Sequence, residues 1–81
     1  MPVVLRVGPY VFFFFSLEND EPPHIHVQRD RDVAKFWLNP VALASNRRYS
    51  EHELTRIRTL VVANRDLLLR GWHDHFGATD H

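Results

Sequence analysis

The chain has 81 residues, of which 44% are hydrophobic and 25% charged, and it contains no cysteine. That length allows one domain, residues 1–81, and excludes two, because pieces below about 50 residues rarely hold together unaided. The missing cysteine removes disulfides, thiolate zinc sites and a cysteine nucleophile together, and ten Lys+Arg against ten Asp+Glu leave no global basic field to draw nucleic acid or anionic lipid.

The first elements read as strands. Val3-Val4-Leu5-Arg6-Val7 and Tyr10-Val11-Phe12-Phe13-Phe14-Phe15 are β-branched and aromatic runs joined by Gly8-Pro9, the signature of a tight hairpin. The apolar run Val11 to Phe15 lacks a basic leader and a small-residue cleavage site. It also falls far short of the ~20 residues a membrane helix requires, so we expect a cytoplasmic protein with no membrane partner. Four consecutive phenylalanines place two rings on each face of a strand, and one of those pairs needs a cover: a curl of the hairpin, the 39–49 segment, another subunit or a partner protein.

Glu18 to Pro23 is a polar, proline-ended loop, read as solvated. His24-Ile25-His26-Val27-Gln28 then alternates strictly, with Ile25 and Val27 on one face and both histidines and Gln28 on the other. Arg29 to Asp32 is a charged turn. Val33 to Asn39 alternates again, with Ala34, Phe36 and Leu38 opposed to Val33, Lys35 and Trp37. A hairpin about that turn pairs Gln28 with Val33, His26 with Lys35 and His24 with Trp37, because a slip by one residue would set histidines against the apolar set. Asn39-Pro40 ends the strand, and Val41 to Ala44 reads as a short edge strand or a helical turn.

Ser50-Glu51-His52-Glu53 is a capping box: the Ser50 hydroxyl accepts from the Glu53 amide while the Glu53 carboxylate reaches back to the Ser50 amide. Tyr49 and Leu54 are placed as a hydrophobic staple. Leu54, Ile57, Val61, Leu68 and Trp72 recur at helical spacing with Asn64 in the same stripe, which predicts one long helix over about 51–76 capped by Gly77, or a shorter one stopping at Arg70. Gly71 costs that helix about 1 kcal/mol relative to alanine. Asn64 is read as a buried amide bonded to the sheet or fixing an interface. The fold class is α+β: an antiparallel sheet of three to five strands within residues 3–44, with one C-terminal helix packed on one face.

The alternation gathers His24, His26, Lys35 and Trp37 on one polar sheet face, where cations take a phosphate and the indole takes a base. In a metal-independent RNA cleavage one imidazole removes the ribose 2′-hydroxyl proton, the other protonates the leaving oxygen, and Lys35 stabilises the phosphorane. Trp37, Arg47 and Arg48 are the binding candidates, the arginines lying before a helix N-terminus that favours anions. Residues 46–70 hold six arginines against three carboxylates, which form either a local positive surface or an ordinary solvated helix face. A metal is the weaker use of His24 and His26: His73, His75 or His81 would have to complete the set, and His73 and His75 lie roughly 200° apart on a helix. No metal and no cofactor is assigned.

At Glu21-Pro22-Pro23-His24-Ile25-His26-Val27 and Ala34-Lys35-Phe36-Trp37-Leu38-Asn39-Pro40 the chain resembles the bacterial family called domain of unknown function 4160. The likeness extends from Met1-Pro2-Val3-Val4-Leu5-Arg6 through Tyr10 to Phe14, Leu43 to Asn46, Leu67 to Leu69, Trp72 and Phe76-Gly77. The resemblance implies a small protein often encoded beside one of another uncharacterised family (domain of unknown function 2442), an arrangement that looks like a toxin–antitoxin pair. A more distant likeness, at the level of fold, is to the HicA-type messenger-RNA interferase toxins, which place a functional histidine on a β-hairpin and would assign the acid/base role to His24 or His26. The expected function is therefore a component of a two-gene module that binds a small cognate protein, and with it RNA, through the His/Lys/Trp face. The alternatives are a ribonuclease toxin and a non-catalytic, homo-oligomeric or partner-bound module whose phenylalanines form the interface.

Overall fold

The computed structural model describes residues 2–16 and 20–77. Five strands, β1 (Val3–Val7), β2 (Tyr10–Phe13), β3 (His24–Arg29), β4 (Asp32–Leu38) and β5 (Val41–Arg47), form one antiparallel sheet in the order β1-β2-β3-β4-β5, followed by helices α1 (Glu51–Ala63) and α2 (Arg65–Phe76). Val41 to Ala44 thus opens a full edge strand. Glu18 and His81 lie outside the described residues, and Asn39-Pro40 links β4 to β5.

The β3–β4 register follows the alternation: His24 opposes Trp37, Ile25 Phe36, His26 Lys35, Val27 Ala34 and Gln28 Val33. Arg29 also pairs with Asp32, so the turn is two residues long, Asp30-Arg31, with Asp30 held at φ 56°. Gly8 takes φ 55° in the β1–β2 turn, a conformation open to glycine at little cost. One face of the sheet carries Phe12, Phe14, Ile25, Val27, Ala34, Phe36 and Leu38 into a core closed by Ile57, Val61, Leu68 and Trp72 from the helices. Burying those apolar side chains is worth about 25 cal/mol per Å² removed from water, which holds helices to sheet.

The expected single helix is two. At Asn64 the backbone leaves the helical region (φ −111°, ψ 16°), and the side-chain amide donates to the Leu60 carbonyl at 2.8 Å. An asparagine satisfies a helix-end carbonyl locally in this way, so this amide donor is spent within the helix and not on the sheet. Helix α2 restarts at once and runs through Gly71 to Phe76, where the Gly77 amide donates to the His73 carbonyl at 2.7 Å.

The capping box is half made. The Ser50 hydroxyl accepts from the Glu53 amide at 3.2 Å. The Glu53 carboxylate does not turn back; its Oε2 accepts from the Tyr10 hydroxyl at 2.8 Å and pairs with Arg29 at 2.7 Å. Arg29 also meets Asp32 at 3.2 Å. Beneath them the buried Tyr49 hydroxyl donates to the Val27 carbonyl at 3.1 Å, and Leu54 packs against the same core. This cluster ties the start of α1 to β2 and β3. Two helix arginines act as further ties: Arg65 donates to the Leu38 carbonyl (2.8 Å) and to Asn39 Oδ1 (2.9 Å), and Arg58 reaches the Val41 carbonyl.

Candidate functional site

The four side chains singled out on β3 and β4 do come together, but not as an open platform. His24 is 0% exposed. Its ring lies 4.8 Å from that of Trp72, 5.7 Å from Trp37 and 5.3 Å from His26, so the C-terminal half of α2 covers the start of β3. The His24 Nδ1 sits 3.0 Å from the Pro22 carbonyl, which can only accept, placing the ring proton on Nδ1. The expectation that both imidazoles look outward is corrected for His24: the tryptophan on the next layer closes over it, and a catalytic role would require that cover to lift.

His26 remains partly exposed. It stacks on Phe13 at 5.3 Å with an interplanar angle of 23° and meets Phe15 edge-on at 5.0 Å. Lys35 is engaged on two sides, its ammonium 2.6 Å from Glu21 and 4.6 Å from the centroid of Trp37. Glu21 is therefore an ion-pair partner rather than a merely solvated loop residue, and Lys35 does not offer a bare charge to a phosphorane. Arg47 and Arg48 separate. Arg47 lies in β5 opposite Val33, whereas Arg48 is an exposed linker residue at φ 82°. The first turn of α1 carries Glu51 and Glu53, and these carboxylates already meet the positive end of the helix where the two arginines were expected to help hold an anion.

Among the described residues no three His, Cys, Asp or Glu gather where an ion could sit, and His81, one of the three residues offered as a further ligand, lies outside them. His73 and His75 are exposed on α2, the latter with its ring 5.4 Å from Phe14.

The phenylalanine run resolves as the alternation demands, with Phe12 and Phe14 under the helices. On the opposite face Phe13 is 3% exposed beneath Phe15 and His26, and of the four phenylalanines Phe15 alone, at 48%, is exposed. An interface of several phenylalanines is thereby reduced to one.

The helix-free face of the sheet is a trough of about 490 Å³. Phe13 and Phe15 form one wall, His26, Gln28 and Val33 the floor, and Ser45 to Arg47 the other wall. A bulge in β5 at Ala44, where Lys35 opposes Ser45 but Phe36 opposes Leu43, turns Ser45 and Arg47 to this side. The Gln28 amide is fixed by donating to the Asp30 carbonyl at 2.8 Å. Of the residues that line the trough Arg47 is the charged one, and among the described residues it has no carboxylate partner, whereas Lys35, opposite both His26 and Ser45, is paired with Glu21. Phe15, Gln28 and Ser45 were not anticipated as site residues; the alternation puts Phe15 beside Phe13 and Gln28 beside His26, which was the available signal.

This is an α+β protein with a two-layer core and an open antiparallel sheet face. The chain belongs to the family described as domain of unknown function (DUF4160), whose pattern matches residues 9–73. No curated protein and no solved structure matches it. Among the described residues no helix is long and apolar enough to cross a membrane.

Proposed function

We propose that this chain is the RNA-contacting component of a bacterial two-gene module of the toxin–antitoxin kind, binding single-stranded RNA on its helix-free sheet face rather than cleaving it. The observation that carries this reading is the trough, where aromatic rings, a fixed amide and an arginine line an antiparallel sheet with no carboxylate among them. Rings on an open sheet give bases a stacking surface, and cations take the phosphates. Arg6 and Arg47 also stand at the two ends of one cross-strand row through Val11, Gln28 and Val33, which spaces positive charge across the strands. Burial of His24 argues against acid–base cleavage, because the mechanism needs two reachable imidazoles and the face presents one.

A small cognate protein encoded nearby is the second partner, favoured by Val62 and Leu67, which stand exposed on α1 and α2. Expression of the chain alone and with the adjacent gene, scored for growth, complex formation and RNA integrity, tests both. The expected result is RNA that is bound with salt-sensitive affinity and stays full length. Cleavage lost in His26→Ala would restore the ribonuclease reading, and failure to bind any RNA would remove the nucleic-acid one.

A further inference from the structure

We infer that the trough between β2 and β5 holds one unstacked base of a single-stranded RNA, with the base against the Phe15 ring and its phosphate against Arg47. The inference rests on the RNA-contacting reading above and adds the residues and the mode of contact.

Phe15 is the observation that points to a stacked ligand. A large ring left 48% exposed on a small domain is ordinarily free to turn, but Phe15 is set edge-on against Phe13 at 5.4 Å and against His26 at 5.0 Å. These contacts set its direction, while the ring remains 48% exposed, as a stacking ring needs to be. The volume of about 490 Å³ falls within the range of sites that hold one small planar group, and the trough lies open along the sheet, so a strand can pass on either side of the held base.

The polar groups discriminate among occupants. Gln28 has one amide hydrogen committed to the Asp30 carbonyl at 2.8 Å, so its remaining N–H and its oxygen hold a set orientation in the floor, suited to one edge of a base. The Ser45 hydroxyl, in the opposite wall two strands away, both donates and accepts. Arg47, the charged residue among those lining the trough, matches a single phosphodiester, while the neighbouring Lys35 is already paired with Glu21. A nucleobase with its phosphate satisfies the ring, the amide and the guanidinium together, whereas an acidic peptide segment would leave the Gln28 edge and the Phe15 face without a planar partner.

The test is fluorescence anisotropy with a short labelled single-stranded RNA, alongside the same sequence as a duplex, uridine monophosphate and inorganic phosphate as competitors, and the RNA with abasic positions. Phe15→Ala is expected to weaken RNA binding roughly tenfold, as loss of one base–aromatic stack does, and Phe15→Trp to retain it. Arg47→Ala is expected to weaken binding and to lower the salt slope by about one phosphate contact. Thr59→Ala on the outer surface of α1 should bind as the parent does, and circular dichroism melts confirm that each variant is folded. Abasic RNA binding as tightly as the intact strand, or parent-like affinity in both Phe15→Ala and Arg47→Ala, would overturn the base pocket while leaving RNA binding itself standing. Uridine monophosphate or phosphate displacing the RNA at equal concentration would overturn the strand as occupant in favour of a free nucleotide or anion. Absence of binding by every RNA would overturn the pocket and the broader reading together.

Discussion

Gly71 faces Val4 so closely that a methyl group built on it would stand 2.8 Å from the valine Cγ1. Helix α2 therefore crosses β1 at the one position in its interior that has no side chain. Propensity alone says that Gly71→Ala should stabilise the helix by about 1 kcal/mol. The contact says the opposite, since valine is stiff about χ1 and cannot swing away. We expect Gly71→Ala to destabilise by about 1–3 kcal/mol through overpacking, and Val4→Ala to relieve that cost in the double variant. Urea unfolding of the four proteins of the cycle measures the coupling, and additive effects would show that the two residues do not meet.

His24→Ala is expected to lower stability by roughly 2–4 kcal/mol, because it empties a fully buried site beneath Trp72. His26→Ala, on the partly exposed face, should cost well under half of that. Thermal melts of the two single variants decide the matter, and similar losses would mean that the His24 ring does not serve as core.

Glu53 carries a charge that is shared between the Tyr10 hydroxyl and the Arg29 guanidinium. Burial first and the Glu53 carboxylate second hold the Tyr10 phenol above its ordinary value. Glu53→Gln should therefore lower the Tyr10 titration, visible in the tyrosinate absorbance, and destabilise the fold by about 1 kcal/mol. An unchanged titration would show that the carboxylate does not act on this phenol.

Burial pushes the Tyr49 phenol up to about 12, with the Glu53 charge adding to it. The unfolded chain titrates near 10, so between about pH 10 and about pH 12 the folded state binds more protons than the unfolded one. Stability is then whole below pH 10 and declines as pH rises through that window. Chemical denaturation across the alkaline range should show the decline, and Tyr49→Phe should flatten it while costing about 1 kcal/mol for the lost bond to the Val27 carbonyl. An equally steep decline in Tyr49→Phe would place its origin elsewhere.

The ladder between β3 and β4 was legible in the sequence because period-two alternation on both strands leaves only one parity that keeps Ile25, Val27, Ala34 and Phe36 together. Alternation gives a side, however, and not a cover. That His24 lies under Trp72 depends on where α2 crosses the sheet, and that crossing follows from the break at Asn64, a residue whose place in the apolar stripe concealed it. Glu53 misled for the same reason. Its local partner, Ser50, was visible three positions away, while Tyr10 and Arg29 arrive from strands far back in the chain. The trough needed the Ala44 bulge to turn Ser45 and Arg47 inward, and a bulge leaves no periodic mark.

Because every strand lies beside its immediate predecessor in the chain, and three of the four links are two-residue reversals at Gly8-Pro9, Asp30-Arg31 and Asn39-Pro40, nearly all ladder pairs unite residues close in sequence. Such a meander assembles from local ribbons and spends little time searching for distant mates. The link between β2 and β3 is the exception, and because closure cost grows only with the logarithm of length, adding the same number of residues to 14–23 should slow refolding less than adding them to any two-residue reversal, while rates of unfolding stay nearly constant.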